Sequence, residues 1–379
     1  MIDKSRYSIL YLTLRDFPRR VANRVQTMKM AEALAHVSNL SLTVSKLHIP
    51  KESLFNYYGI LNGFDIRELG EPRFGPFTLM LFPTILRLIY SRRPDYIFIR
   101  EEYPAWKLSK LFNNIIFEMH DLNIKKLWLY RSIVKNSCTT VVITSALLDK
   151  CEFNGVPTKN IQVLPDGVDL SLFGCEKSKS EARSTLGLPA KKRLVIYSGR
   201  LSEWKGIYTL IESMHHIDDS VSVVLVGGFE GEKEVVESFV EKCGLRARVI
   251  FCGHQEHKTI PIFLKAADIL ALPNSGKTEI SRYYTSPLKM FEYMASDRPI
   301  IASDLPSIRE VLNEENAVLV EPDSPAKLAA GIKYILDFPH ESSVRTNNAL
   351  NGVKNFSWAA RAMTLVSSLP KSKYSNITL

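Results

Sequence analysis

The 379-residue sequence predicts an α/β protein built of two Rossmann-like domains facing each other across a cleft. Three observations carry that expectation. The length exceeds what one hydrophobic core ordinarily serves, so two domains of roughly 150 to 200 residues are expected. Short β-branched runs alternate with helical patterns through both halves of the chain, as in parallel, doubly wound sheets. The composition, 45% hydrophobic and 23% charged, is that of an ordinary globular protein and excludes the disordered and fibrous classes.

Taken in order, the first half offers "YSILYLTL", a helix over 21–37, "LSLTVSKL", "DYIFIR", "NIIFEMH", "TTVVITS" and "IQVLP", with long insertions between them. The second half is more regular. "RLVIYSG", "SVSVVLVGG", "RVIFCG", "DILALPN", "PIIAS" and "AVLVEP" each precede a helical pattern, giving six strand-helix units. The joint is expected after "LPDGVDLSLF" (164–173), where the polar stretch "GCEKSKSEARS" interrupts the periodicity. The expected domains are therefore 1–172 and 173–356. Ligands of such sheets bind beyond the carboxyl ends of the strands, so the loops there deserve the closest reading.

The formal net charge of +9 is concentrated in residues 1–170, which hold 23 Lys/Arg against 16 Asp/Glu. This bias suits an anionic membrane surface, a nucleic acid or a phosphorylated substrate, and suits a solvated basic surface equally well. The stretches "LRLIYSRRP" (86–94) and "IKKLWLYRSIVK" (124–135) read either as interfacial helices touching anionic lipid or as solvated faces of packed helices. No nucleic-acid-binding motif accompanies them, and no nucleic-acid partner is expected. Five scattered cysteines without C-x-x-C spacing point to a reducing compartment. No secretory signal is evident, and "FGPFTLMLFPTIL" (74–86) is too short and proline-broken to span a bilayer. The expected location is cytoplasmic, with peripheral attachment to the inner membrane face as an option.

Candidate chemistry lies in the loops. In "VIYSGRLSEWKGIYTLIE", Arg200 follows a strand and Lys205 precedes a helix, while Gly199 and Gly206 permit tight turns. Two cations and a helix N-terminus can hold a phosphate or diphosphate; alternatively, both are surface charges. In "TSPLKMFEYMA", Thr285 or Ser286 is expected to cap a helix with Pro287 in its first turn, leaving free amides near Leu288 and Lys289. Glu292 falls about one and a half turns further on. It reads as an acceptor for a ribose diol, or as a structural carboxylate paired with an Arg or Lys of the other domain.

In the first half, "NIIFEMHDL" places His120 at a strand end, where it can position or deprotonate a hydroxyl or serve structure alone. The loop "LRDFPRRVANRVQ" offers Arg19, Arg20, Asn23 and Arg24 for acceptor or phosphate contacts. The first glycine is Gly59, so the glycine-rich dinucleotide fingerprint is absent from the first strand-helix turn. "CGHQEHK" supplies Cys252, His254 and His257 without a fourth ligand, and D-x-D does not occur, so no metal and no cofactor are expected.

These segments resemble a known family, the retaining glycosyltransferases of the GT-B fold, family four, also called glycosyl transferases group 1. The resemblance rests on "VLPDGVDLSLF", "IYSGRLSEWKGIYTLIES", "VVLVGG", "KAADILALPNS" and "SPLKMFEYMASDRPIIASDLPSIREVL" in that order. The terminal "FSWAARAMTLVSSL" resembles the family's last helix, which implies that 357–379 completes the first domain. The resemblance implies transfer of a sugar, with retention, from a UDP- or GDP-sugar to a hydroxyl of a glycan or lipid-linked acceptor. Arg200 and Lys205 would hold the donor diphosphate, the segment Tyr284–Lys289 the phosphate or sugar, and Glu292 the ribose. Gly199 belongs to the same donor site, Gly253 and His254 to the base-reading loop, and Asn23 and Arg24 to the acceptor. His120 matches a histidine near the reacting sugar. "SPLK" is similar to a bacterial surface-polysaccharide subgroup. One departure is plain: the family's first glutamate, eight positions before Glu292, is Tyr284 here. An epimerase and a non-catalytic nucleotide-sugar-binding protein are the competing readings of the same architecture.

Overall fold

The computed structural model describes residues 7–19, 21–70 and 77–370, and the chain divides into two compact units. One contains the chain up to Asp166 together with the segment from Trp358 onward; the other is Gly167–Ser357. The second unit thus begins a few residues before the expected joint. Val168 and Phe173 explain the difference. Both are buried in the second unit's core, and Val168 also forms a parallel bridge to Ser357.

The first unit holds a seven-stranded sheet in the order Asp65–Glu68, Asn39–Val44, Ser8–Leu12, Tyr96–Ile99, Ile115–Met119, Thr139–Val142, Ile161–Val163, parallel throughout. Tyr96–Ile99 and Ile115–Met119 are buried at every residue, because helices cover both faces. The strand order reverses between Ser8–Leu12 and Tyr96–Ile99, the point at which such sheets open a crevice. The sequence did not foretell the edge strand Asp65–Glu68: only Ile66 of "DIRE" is buried, so no apolar run announces it. The helix expected over 21–37 spans Ala22–Val37, and the helix Trp358–Ser368 packs along it. The apolar stretch from Phe74 starts outside the described residues and lies in the helix Phe77–Arg92.

The second unit contains all six expected strands, parallel, in the order Val249–Gly253, Val221–Val226, Arg193–Ser198, Ile269–Leu272, Ile300–Ser303, Val318–Val320. Its core has two layers, as period-two alternation dictates. Ile196, Val224 and Leu270 face one layer; Val195, Val223 and Ile269 face the other. The order reverses between Arg193–Ser198 and Ile269–Leu272, whose outgoing loops begin at Gly199 and Pro273.

Candidate functional site

In the second unit the two loops at the switch point touch. Gly206 has φ +74°, and a Cβ there would lie 1.6 Å from the carbonyl oxygen of Pro273, so only glycine fits. Between Gly199 and Gly206 the chain makes a single 3-10 turn, Glu203–Lys205. The Lys205 ammonium lies 3.6 Å above the Trp204 ring. Burial, followed by the nearby Arg200 charge, brings the Lys205 pKa down to about 7. Arg200 holds Glu232 through Nε at 2.8 Å and Nη2 at 2.5 Å, and its guanidinium lies over Phe229.

The helix Leu288–Ala295 closes the same site. Tyr293 fixes it, its hydroxyl accepting the Ser198 backbone N–H at 2.8 Å at the end of the central strand. Lys289, 8% exposed, points its Nζ at the Tyr197 ring, 3.7 Å from the centroid. Glu292 Oε1 lies 3.0 Å from His257 Nε2, and the His257 ring packs edge-on against Phe173.

In the first unit a pocket of about 550 Å³ opens at the strand-order reversal, lined by Thr13, Asn23, Arg24, Arg100, Glu101 and His120 among others. Glu118 is buried beneath it in the strand Ile115–Met119. Its Oε1 accepts His120 Nε2 at 2.7 Å and Gln26 Nε2 at 3.2 Å; its Oε2 lies 2.9 Å from Arg361 Nη2. Burial works against the Glu118 charge, but Arg361, His120 and Arg100 outweigh it and hold the carboxyl well below the usual carboxylate range. An ionised carboxylate only accepts, so His120 Nε2 donates and Nδ1 is the lone-pair nitrogen. Burial first, then the Arg100 charge, push the His120 pKa down, which keeps the imidazole neutral. Gln26 also donates to Asp166, whose carboxyl is raised by burial.

Residues 178–351 match the family described as Glycosyl transferases group 1. They form a glycosyl transferases group 1 domain. Among curated relatives, D-inositol 3-phosphate glycosyltransferase of Xylanimonas cellulosilytica is 27% identical over 226 residues, covering 57% of this chain and 52% of its own. The putative teichuronic acid biosynthesis glycosyltransferase TuaC of Bacillus subtilis is 30% identical over 171 residues, covering 45% and 40%. The chain thus spans about half the length of the curated relatives it matches. Among solved structures, Anabaena HepE in complex with UDP and glucose superimposes with TM-score 0.76 at 18% identity, covering 96% of this chain and 99% of that one. At that identity the likeness shows the fold, two parallel α/β units of the GT-B type.

The glycosyl transferases group 1 domain brings together Gly199, Arg200, Lys205, Lys289 and Glu292 around one switch point, but the expected helix cap changes. Neither Thr285 nor Ser286 caps the helix: Pro287 is the cap residue, with extended ψ of 122° and no side-chain bond, because the helix starts only at Leu288. Glu292 pairs with His257 of its own unit. Arg200 is engaged by Glu232. Tyr284 closes the short helix Glu279–Tyr283, its ring 5.9 Å from that of Tyr283. Gly253 ends the edge strand and its carbonyl accepts the Gly227 N–H, while His254 is exposed just beyond. Among the described residues no cluster of three metal-binding side chains forms, so Cys252, His254 and His257 do not converge.

In the first unit, Arg24 lines the pocket with its guanidinium already engaged. It is buried, donating through Nε to the Asp16 carbonyl oxygen at 3.0 Å and through Nη1 to Asn23 Oδ1. Asn23 itself is exposed at the pocket edge. Arg19 is tied to Asp16, and Arg20 lies outside the described residues. The residues that sequence reading missed are Gln26, Asp166, Arg361, Tyr293 and Glu232. Each acts through a partner remote in the chain, and only the likeness of "FSWAARAMTLVSSL" to a last helix that completes the first domain pointed to the segment carrying Arg361.

Proposed function

We propose that the protein is a retaining glycosyltransferase that moves a sugar from a nucleotide-diphospho-sugar to a hydroxyl of a glycan or lipid-linked acceptor in surface polysaccharide synthesis. One observation supports this above the rest: Lys205 and Lys289 crowd one strand-switch loop in the glycosyl transferases group 1 domain, and among the described residues neither ammonium has a carboxylate partner. Such an arrangement suits an anion with several oxygens. The UDP and glucose held by the Anabaena protein favour a nucleotide-sugar as that anion.

In this reading the second unit holds the donor. Arg200 is more than half exposed, and exposed ion pairs are worth at most about 1 kcal/mol, so a diphosphate can draw it away from Glu232. Glu292, steadied by His257, accepts the ribose hydroxyls. Fixed cations meet the charge that develops on the departing diphosphate, which removes the need for a metal. The departing phosphate oxygen takes the acceptor proton. In the first unit, neutral His120 presents Nδ1 to an acceptor hydroxyl, with Glu118 and Gln26 holding the ring.

The acceptor end is proposed to rest on an anionic membrane surface. Trp128 and Ile124 are more than half exposed, Trp106 stacks edge-on to Trp128 at 5.2 Å, and Lys110 lies 3.9 Å above Trp106. Aromatic rings with lysines beside them suit the headgroup region. Among the described residues no helix is long and apolar enough to cross a membrane.

A thermal-shift screen of UDP- and GDP-sugars tests the donor reading, since a ligand of the folded state raises the melting temperature. One nucleotide class should stabilise the protein, and Arg200→Ala and Lys205→Ala should abolish transfer while the fold survives. Unchanged turnover in both variants would sink the assignment.

A further inference from the structure

Lys289 is the most unusual side chain of the second unit. It is more than nine-tenths buried, and its Nζ has no hydrogen-bond partner among the described residues. The backbone at Gly199 passes so near that a Cβ there would sit 3.1 Å from Nζ. Other buried polar atoms around the switch point also lack partners: Ser202 Oγ and both side-chain atoms of Asn274. Ser202 stands just before the turn that carries Lys205, and Asn274 follows Pro273, against which Gly206 packs.

A buried ammonium with three unmet donors is among the costliest groups a fold can hold. The groups facing Lys289 do little to relieve it. The central strand and its loop contribute the neutral phenol of Tyr197, which donates to the Arg200 carbonyl oxygen, and Arg200, whose charge is spent on Glu232. The 3-10 turn contributes a second cation, Lys205. Its own helix contributes Glu292, whose carboxylate is turned to His257. Burial first, and Lys205 second, therefore drive the Lys289 amine far below its ordinary range, with Glu292 opposing them weakly.

We propose that Lys289 is a further cation of the phosphate site that becomes charged only when the diphosphate of a nucleotide-sugar enters, taking its proton from solvent. The inference rests on the nucleotide-sugar reading and deepens it. An incoming diphosphate supplies the acceptors that Nζ, Ser202 Oγ and Asn274 Nδ2 lack, and its charge reverses the balance that keeps the amine neutral. Lys205 shares in the uptake wherever the solution lies above its pKa. No covalent change is involved: the buffer acid loses a proton and the lysine gains it. The cation over which sugar transfer occurs is thus assembled by the substrate itself.

Calorimetric titration of the protein with UDP and with GDP, near pH 8 in buffers of different ionisation enthalpy, reads this directly. Between one and two protons should be taken up per site, and the binding constant should fall about tenfold per pH unit for each proton linked. Lys289→Met keeps length and removes the proton acceptor; it should lose close to one linked proton and bind at least about tenfold more weakly. The wild-type proton count stands even where that variant folds poorly. Binding with no proton uptake overturns the role of Lys289 and leaves the donor reading intact. Failure of both nucleotides and their sugars to bind overturns the donor reading, and this inference with it.

Discussion

Arg361 and Glu118 form a buried ion pair, Nη2 to Oε2 at 2.9 Å, that joins the helix Trp358–Ser368 to the centre of the first sheet. Arg361 also donates to the carbonyl oxygens of Pro165 and Leu164, so one guanidinium gathers strand, linker and last helix. Removing one partner of such a pair leaves a buried charge uncompensated, at a cost of roughly 3 to 5 kcal/mol. Arg361→Met should therefore lower the urea midpoint of the first unit strongly. Combined with Glu118→Gln, it should recover a good part of the loss; strictly additive losses in the double variant would show that the two residues act independently.

Acid should weaken the fold in two stages. His120 is held neutral in the folded protein, so its contribution is complete above its unfolded value of about 6.5 and is lost as pH falls below it. The depressed Glu118 carboxyl behaves likewise, starting from about 4.3. Asp166, raised by burial, works in the opposite sense. The His120 share is read by difference: the urea midpoint of His120→Asn should be flatter than wild type between about pH 5 and 6.5. Parallel curves would show that His120 is not the titrating group.

Gly206 and Gly187 provide a controlled pair, both with positive φ, at +74° and +64°. A Cβ at Gly187 meets nothing, whereas one at Gly206 collides with Pro273. Gly187→Ala should cost about 1 kcal/mol, from backbone strain alone. Gly206→Ala should cost more than about 2 kcal/mol and also remove nucleotide binding, because the loops must part. Equal costs in chemical denaturation would mean that the contact with Pro273 yields easily.

Trp128→Ala and Lys110→Ala should each reduce sedimentation with vesicles containing anionic phospholipid, at low salt, by several-fold, while circular dichroism stays unchanged. Binding to neutral vesicles should be weak for all forms. Retention that ignores both substitutions would place the docking face elsewhere.

The alternation of "RLVIYSG", "SVSVVLVGG" and their successors announced every strand of the second sheet, since its buried inner strands and its half-buried edge strands alike are written as short apolar runs. "DIRE" escaped notice because three of its four residues are charged, which leaves Ile66 without apolar neighbours in the strand. The loop at the second sheet's switch point was legible because Gly199, Arg200, Lys205 and Gly206 lie within eight residues of sequence. What stayed hidden were the pairings over distance. Nothing near Glu292 says that His257 will face it, and nothing near Glu118 announces Arg361, because such partners are chosen by the topology of the sheets. The misplaced helix cap has a local cause: Pro287 keeps an extended ψ of 122° and takes the cap position, one residue before the first helical position that proline usually fills.

The last helix carries a consequence for how the molecule comes into being. Glu118 leaves the ribosome long before Arg361, with the whole glycosyl transferases group 1 domain synthesised in between. Until then its carboxylate has only His120, Gln26 and Arg100 for company, and the groove along Ala22–Val37 is uncovered. The domain begun first is thus the domain finished last, and it is during translation that its half-built core is exposed to aggregation and proteolysis.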